Sequence, residues 1–247
     1  RLTQALREIG IEFIFRSELK SVESRQGKFA CCLSGKKQEA LLVEKVLCSP
    51  RIPNTDHLGA EKVNIHIKED AAIQVNDYLE TTAPGVYAIG DATGGSMQSH
   101  AASAMAVVAA ENAMGEKKKF PFHLIPRGTW TAPEVASVGL TEEQAEAQDL
   151  DVEIGDFPYS INGLSMARNQ TNGSVKIIVD TRYDEIVGVH IVGPNATEVV
   201  GEAVLAMQLE CTAAELANSI RVHPSFSEAI VDSARDAGNW ALYLPRG

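Results

Sequence analysis

The sequence contains no apolar run of about 18 residues or more, the length that a helix needs to cross a bilayer. Its opening stretch, RLTQALREIG, is amphipathic and has no apolar core of the kind found in a signal peptide. We therefore expect no membrane-spanning helix, no membrane partner and a cytoplasmic location.

Basic residues are in the minority. The chain has 22 Lys and Arg residues against 33 Asp and Glu residues, which gives a formal net charge of -11 at pH 7. Its one basic run, EKKKF at 116–120, is short and predicts a solvated connector. Nucleic acids bind clustered Lys and Arg, so we expect no nucleic-acid partner.

Cysteine is also scarce, and several common motifs are missing. The four cysteines, Cys31, Cys32, Cys48 and Cys211, form no C-x-x-C pattern, so neither a metal site nor a redox pair is expected among them. The sequence has no G-x-G-x-x-G, G-x-S-x-G or H-E-x-x-H motif. The sequence therefore lacks the motif residues of a dinucleotide-binding site, of an α/β-hydrolase nucleophile and of a zinc protease site.

The first 50 residues predict one helix followed by strands. Helical spacing of apolar residues begins at Leu2 without an N-cap residue before it, so we expect the sequence to be part of a longer polypeptide. Three apolar runs predict strands of a mixed sheet: 11–15, 28–34 and 39–48. A break rich in Pro and Asn at 49–59 then predicts a boundary.

The next segment holds a candidate binding motif. The apolar stretch VYAIG at 86–90 predicts a buried strand that leads into Asp91, and a helix rich in small residues is expected over about 97–114. An acidic side chain at a strand end can bind a ligand hydroxyl, while a helix N-terminus presents free N–H groups to an electron-rich ring. A simple turn aspartate explains the same residues, and the motif alone does not decide between the two.

The remainder of the chain, after a second boundary at 117–126, predicts an α+β domain. Thr141 and Gln144 have the spacing of a capping box, and Asn195 is the expected N-cap of a later helix. Strands precede helices, which implies helices on one face of an antiparallel sheet. The predicted strands are 151–160, 174–180 and 185–193, and the predicted helices are 195–210, 212–220 and 225–237.

Two histidines in this part need interpretation. His190 lies on an apolar strand, where a hydrogen-bonded core histidine is more common than a ligand. His223, whose backbone is held extended by Pro224, has the carboxylate of Glu228 close in sequence, as a general acid–base requires. Ser225 and Glu228 also have the spacing of a capping box, and from these residues alone a merely capped helix is the favoured interpretation.

Five segments carry a resemblance when they are taken together: RIPNTDHLG, TTAPGVYAIGDATGG, TAPEVASVGLTEEQA, SVKIIVDTRYDEIVGVHIVGPNATEVVGEAVLAMQ and VHPSFSEA. In order and spacing they resemble the pyridine nucleotide-disulfide oxidoreductases, a family of flavoenzymes. The segments extend over essentially the whole sequence. Within the family, PEVASVGLTEEQA, GVHIVGPNATE and HPSFSEA are most similar to the dihydrolipoamide dehydrogenases.

The resemblance implies a fold of class α/β and α+β, in which the tail of a FAD- and NAD-linked α/β domain is followed by an α+β interface domain with an antiparallel sheet. Residues 1–50 are then the tail of the NAD-binding domain, and 51–119 are the C-terminal segment of the FAD-binding domain. Residues 120–247 are the interface domain, through which a homodimer forms. Components of a lipoyl-bearing multienzyme complex are further implied partners.

The resemblance also implies site residues. His223 is then the catalytic acid–base, with Glu228 as its orienting partner, Ser225 as an additional cap and a cis His223–Pro224 bond. No metal site is implied. The implied FAD-binding residues are Asp91, which holds the ribityl chain, Gly90 before it, and Met97, Gln98 and Ser99, where a helix points at the flavin pyrimidine ring.

The implied reaction is oxidation of a dithiol such as dihydrolipoamide by NAD through FAD. The family's phosphate-binding motifs and its redox-active cysteine pair precede residue 1, so this polypeptide by itself is not expected to retain FAD. Pro50 and Ile52 stand where relatives usually have Gly and a basic residue. Two alternatives remain open: another disulfide reductase of the family, similar to a glutathione reductase or a soluble transhydrogenase, and a non-catalytic dimerisation module.

Overall fold

The computed structural model describes residues 1–34 and 41–244. Helix α1, Leu2–Glu8, opens the chain as expected. A three-stranded sheet follows, in the order β1-β2-β3, and both of its pairings are antiparallel. Its strands are β1 (Leu19–Arg25), β2 (Lys28–Leu33) and β3 (Leu41–Val43).

Two expectations for this first sheet are wrong. The run 11–15 is not a strand, and the sheet is antiparallel rather than mixed. The sequence does not predict β1, because all of its side chains are exposed and no apolar run marks it. A two-residue turn sets the β1–β2 register: Gln26 and Gly27 both have positive φ, of 50° and 78°, as a type I′ hairpin requires. Residues 39 and 40 of the third predicted strand lie outside the described residues.

The stretch VYAIG does not form the predicted buried strand. Its Tyr87 makes only an isolated bridge to Glu80, and the Ala88 amide donates to the Leu79 carbonyl at 3.1 Å. No longer strand of the described residues runs beside it, so the apolar run has nothing to pair with. The chain passes instead into a single 3-10 turn, Gly90–Thr93, and then into helix α2, Ser99–Ala113, close to the predicted range.

The C-terminal half forms the α+β arrangement that the sequence predicts. Five antiparallel strands lie in the order β4-β5-β8-β7-β6. They are β4 (Arg127–Thr129), β5 (Glu134–Gly139), β6 (Val152–Pro158), β7 (Ser174–Asp180) and β8 (Glu185–Gly193). The helices are α3 (Glu142–Glu146), α4 (Gly163–Ala167), α5 (Ala196–Gln208), α6 (Ala213–Asn218) and α7 (Glu228–Ala237).

Alternation along the strands places the core on one face of this sheet. In β7, Val175, Ile177 and Val179 are buried among the apolar side chains of α5 and α7. Their neighbours Ser174 and Lys176 point to the opposite face, where they line an open polar cleft. A strand with a period of two places successive side chains on opposite faces, so α5 and α7 cover the face that carries Val175, Ile177 and Val179.

Helix α7 is packed unusually close to the sheet at β6. A Cβ atom built on Gly155 would lie 1.9 Å from the Ser233 carbonyl oxygen and 2.8 Å from the Ala237 nitrogen. The Ser233 hydroxyl donates to the carbonyls of Gly155 and Val175, at 2.9 and 3.1 Å. Only glycine permits this contact between backbones, and the contact fixes the helix that begins with Glu228.

Helix starts follow the predicted pattern in part. The capping box of α3 forms as expected between Thr141 and Gln144, and a second one, Thr212 with Glu215, begins α6. Asn195 is the N-cap of α5, but its side chain makes no capping hydrogen bond. Among the described residues, no helix is both long and apolar enough to cross a membrane.

Candidate functional site

His223 and Glu228 lie together, as the sequence predicts. The Nδ1 atom of His223 is 2.8 Å from Oε1 of Glu228. The histidine side chain is 74% exposed, whereas the glutamate side chain is only 21% exposed. Nε2 of His223 has no hydrogen-bond partner among the described residues, so the imidazole is held from one side and open on the other. The His223–Pro224 peptide bond is cis, as predicted.

The predicted capping role of Ser225 is wrong. Its Oγ atom is buried and has no partner in the part of the chain that the structure describes. The helix begins later, because turn hydrogen bonds join Ala229 to Phe226 and Ile230 to Ser227, and Ser227 occupies the N-cap position. One of the two hydrogen bonds of the predicted capping box is present: the Ser225 amide donates to Oε2 of Glu228 at 2.7 Å. Glu228 therefore uses one oxygen to hold the backbone and the other to hold His223.

A buried asparagine fixes the loop beneath the histidine. Asn162 is 3% exposed, and its Nδ2 donates to the Ser225 carbonyl at 2.9 Å. Its Oδ1 accepts from the amide and hydroxyl of Ser165, at 3.0 and 3.1 Å. Beside it, a Cβ on Gly163 would be 3.5 Å from Cε1 of His223, so the wall of the cleft is backbone at that point. The sequence offers no signal for the contact of Asn162 with this loop, because Ser225 lies 63 residues further along the chain.

The cleft around His223 contains a second carboxyl group, that of Asp232. It is lined by Phe157, Ile161, Asn162, Gly163, Glu228, Asp232 and Tyr243. Burial raises the pKa of the Asp232 carboxyl, the Arg235 guanidinium at 2.9 Å opposes that rise, and the charge of Glu228 adds to it. The carboxyl groups of Glu228 and Asp232 therefore both line the cleft that holds His223.

A second group of predicted residues lies around Asp91. Its Oδ2 forms an ion pair with Arg51, and Nη1 of Arg51 donates to the Met97 carbonyl at 2.7 Å. Arg51 is thus a site residue that the sequence did not identify, although its neighbours Pro50 and Ile52 mark the segment as unusual. No described residue hydrogen-bonds to Oδ1 of Asp91, which leaves that oxygen able to accept from a ligand hydroxyl.

Gly90 and the start of α2 complete this second group. Gly90 has a φ of +63°, and a Cβ there would lie 2.9 Å from Cβ of Ala102, so the chain passes directly over the helix. Helix α2 has Gln98 as N-cap without a side-chain capping bond and no acidic residue in its first turn. Its first amides, from Ser99 onward, therefore remain available to an electron-rich group.

The Asp91 group, which comprises Arg51, Gly90, Asp91, Met97, Gln98 and Ser99, is linked to the region of β4 by side chains at the start of α2. Nε2 of Gln98 donates to the Gly128 carbonyl at 3.1 Å, and Nε2 of His100 is 2.7 Å from the Pro126 carbonyl. No hydrogen bond or ion pair between described residues joins this group to the His223 group. His190 is hydrogen-bonded within the fold, as expected, with Nε2 2.7 Å from the Leu140 carbonyl oxygen.

Two family models match the chain. The model for the pyridine nucleotide-disulphide oxidoreductases matches residues 1–106, and the model for the dimerisation domain of the same family matches residues 125–234. His223 and Glu228 lie in the second match. The residues of the Asp91 group lie in the first match.

Curated relatives are dihydrolipoyl dehydrogenases. The chain is 36% identical to the protein from Thermus scotoductus over 98% of its own length and 53% of that protein's length. It is 35% identical to dihydrolipoyl dehydrogenase 3 of Pseudomonas aeruginosa, with coverage of 98% and 52%, and 36% identical to the Bacillus subtilis enzyme, with coverage of 92% and 49%. The chain therefore spans about half the length of the curated relatives it matches.

Solved structures show the same architecture. LpdA from Mycobacterium tuberculosis superposes with a TM-score of 0.85 at 25% identity, over 95% of this chain and 51% of that one. RclA from Escherichia coli, an HOCl-induced flavoprotein disulfide reductase, superposes with a TM-score of 0.80 at 25% identity, over 94% of this chain and 53% of that one.

Proposed function

The chain belongs to the pyridine nucleotide-disulphide oxidoreductase family, and on that premise we propose that it supplies the acid–base residue and the dimer surface of a dihydrolipoyl dehydrogenase. The reaction converts dihydrolipoamide and NAD⁺ to lipoamide, NADH and a proton. One observation carries the proposal: Nδ1 of an exposed His223 is held 2.8 Å from Glu228, and Nε2 is left open. We propose the domain limits 1–50, 51–119 and 120–247.

His223 performs the proton transfer in this proposal. Oxidation of a dithiol to a disulfide releases two protons, and thiolates are far better electron donors than thiols. The open Nε2 takes the proton from a substrate thiol. Glu228 accepts from Nδ1–H, which selects the tautomer with a free Nε2 lone pair and stabilises the imidazolium that forms. The Ser225 amide prevents Glu228 from rotating away.

The Asp91 group provides the chain's part of a flavin site. FAD, when bound, supplies the two-electron acceptor between the dithiol and NAD. The free Oδ1 of Asp91 would accept from a ribityl hydroxyl, while the amides of Met97, Gln98 and Ser99 at the start of α2 would face the pyrimidine ring. Arg51 holds the other carboxylate oxygen and so fixes the orientation of Asp91.

We expect Gly90→Ala, made in the native protein, to weaken flavin retention by on the order of tenfold. The reason is that a Cβ at Gly90 combines a positive φ with a contact 2.9 Å from Ala102. Flavin absorbance per protein after dialysis measures the effect. Gly95→Ala is the matched control, because Gly95 has a φ of +74° and open space around its Cβ position. Equal flavin content in the two variants would contradict the close approach of the cofactor at Gly90.

Homodimer formation through 120–247 is the second part of the proposal. Large apolar side chains are exposed next to His223: Ile220 at 95%, Val222 at 79% and Tyr243 at 64%. Contiguous apolar surface of this kind marks an interface, and two-fold symmetry is the most common way to cover it. A partner subunit seated there would also bring its own groups within reach of the open Nε2.

We expect the native protein to sediment as a dimer at micromolar concentration, and Val222→Asp to weaken dimerisation by at least about tenfold, because it buries an unpaired charge. Val63→Asp is the control, since Val63 is 53% exposed but lies outside the proposed interface segment. A parent protein that sediments as a monomer would contradict the proposal.

Another disulfide reductase of the family is the second candidate, and the likeness to RclA favours it. Assays of the native protein separate the two activities: oxidation of dihydrolipoamide with NAD, and reduction of glutathione disulfide with NADPH.

The first proposal also includes components of a lipoyl-bearing complex as partners, and a cytoplasmic location. The four cysteines form no disulfide in the structure, which is typical of proteins in a reducing compartment.

A further inference from the structure

The loop that carries His223 is tied at both ends to a single carboxylate. Arg221 precedes the histidine, and its Nη2 forms an ion pair with Oε1 of Glu202 on helix α5. Ser227 follows the histidine, and its hydroxyl donates to Oε2 of Glu202 at 2.6 Å. Nε of Arg221 also donates to Oγ of Ser227 at 3.1 Å, so the three side chains close a triangle.

The side chains of this triangle are partly buried, whereas the His223 side chain between Arg221 and Ser227 is exposed. The side chains of Arg221 and Glu202 are 20% and 26% exposed. Burial lowers the pKa of Arg221, and the carboxylate of Glu202 compensates the buried positive charge. Removing one member of such a pair leaves the other charge partly buried and unpaired, which costs far more than an exposed ion pair contributes.

We propose that Glu202 is a positioning residue for His223: by holding Arg221 and Ser227 together, it fixes the loop that aims Nε2 of the histidine. The inference rests on the proposed function for the catalytic role of His223. Because the His223 side chain is 74% exposed, little packing holds it in place. Its direction depends on Glu228, on Asn162 beneath Ser225, and on the two anchored ends of the loop.

The orientation of a catalytic group strongly affects the reaction rate, and a displacement of about 1 Å can lower that rate by as much as 100-fold. Glu228 fixes only the imidazole and the Ser225 amide. Glu202 reaches the loop from a different helix, α5. Helix α5 packs on β5 and β8, so the anchor ties the loop and the start of α7 to the sheet through a second helix.

The test uses Glu202→Gln in the native protein with its cofactor. Glu198→Gln is the matched control, because Glu198 lies one turn earlier on α5, is exposed, and makes no side-chain hydrogen bond with described residues. We expect hydrogen exchange of the Ser225, Ala229 and Ile230 amides, which donate hydrogen bonds in the loop and the first turn of α7, to accelerate by on the order of tenfold in Glu202→Gln, with strands β5 to β8 unchanged. The control should match the parent protein at both places.

Kinetics provide the second readout. Glu202→Gln should lower kcat for dihydrolipoamide oxidation by about 5- to 20-fold with a smaller change in KM. Reduction of ferricyanide by NADH, which needs no proton transfer at His223, should remain at the parent rate. The double variant Glu202→Gln with Arg221→Gln should be no slower than Glu202→Gln alone, because it removes the unpaired guanidinium.

Two results would overturn the inference: unchanged exchange of the Ser225, Ala229 and Ile230 amides in Glu202→Gln, or equal losses in the dithiol and ferricyanide assays, which indicate general damage. A parent protein that oxidises no dithiol would instead refute the proposed function. The exchange measurement still decides whether Glu202 holds the loop in that case.

Discussion

His223→Gln, made in the native protein, is expected to slow oxidation of dihydrolipoamide by about 100-fold or more while flavin content and stability stay near those of the parent protein. The side chain of Gln is close in size to that of His and can still hydrogen-bond to Glu228, but it cannot accept and return a proton at neutral pH. Because His223 is 74% exposed and fills no core volume, its replacement leaves the fold unchanged. Anaerobic rapid mixing with dihydrolipoamide measures the rate of the dithiol step directly.

The control for this experiment is His123→Gln, which replaces another exposed histidine far along the sequence from the cleft. NADH oxidation by ferricyanide should proceed equally in parent protein, variant and control, since that reaction bypasses the proton transfer. Dithiol oxidation by His223→Gln at close to the parent rate would show that the 223–228 segment is only the start of a helix.

The second large effect concerns Gly155. We expect Gly155→Ala to lower the free energy of unfolding by about 3 kcal/mol or more, because the new Cβ would lie 1.9 Å from the Ser233 carbonyl oxygen. Either β6 or α7 has to move, and the movement breaks the hydrogen bonds from the Ser233 hydroxyl to the two strands. Since Glu228 begins α7, dihydrolipoamide oxidation should fall as well. Denaturant unfolding and the dithiol assay measure the two effects.

Gly201→Ala is the matched control for this substitution. Gly201 lies within α5, and a Cβ built on it meets no heavy atom within 4 Å. Alanine should there be neutral or stabilising by up to about 1 kcal/mol, because it restricts the unfolded chain. Equal stability of the two variants would mean that α7 does not approach β6 as closely as described.

The C-terminal half could be predicted well because its signals are local. Strands β7 and β8 are apolar runs bounded by turn residues, and α5 and α6 begin at polar capping positions. Even the pairing of His223 with Glu228 depends on residues only five positions apart. Local propensity and tertiary packing agree here, so patterns of short range determine the outcome.

Other features depend on partners that a short pattern cannot reveal. The runs at 11–15 and 86–90 are apolar enough for strands, yet a strand forms only where another strand pairs with it. Ser225 is not the cap because a turn at Phe226 and Ser227 delays the helix to Glu228, and the Ser227 hydroxyl in that turn is held by Glu202 of α5. Ion pairs such as that between Arg51 and Asp91 join residues forty positions apart, and no spacing rule identifies them.

We propose that this chain contributes the acid–base residue of a flavoenzyme that oxidises a dithiol with NAD. The decisive experiment is anaerobic titration of the native protein with dihydrolipoamide, followed by addition of NAD. We expect loss of the oxidised-flavin absorbance on titration, its return with NAD, and one NADH formed per dithiol consumed. Flavin absorbance that does not respond to dihydrolipoamide, in a protein shown to contain flavin, would contradict it.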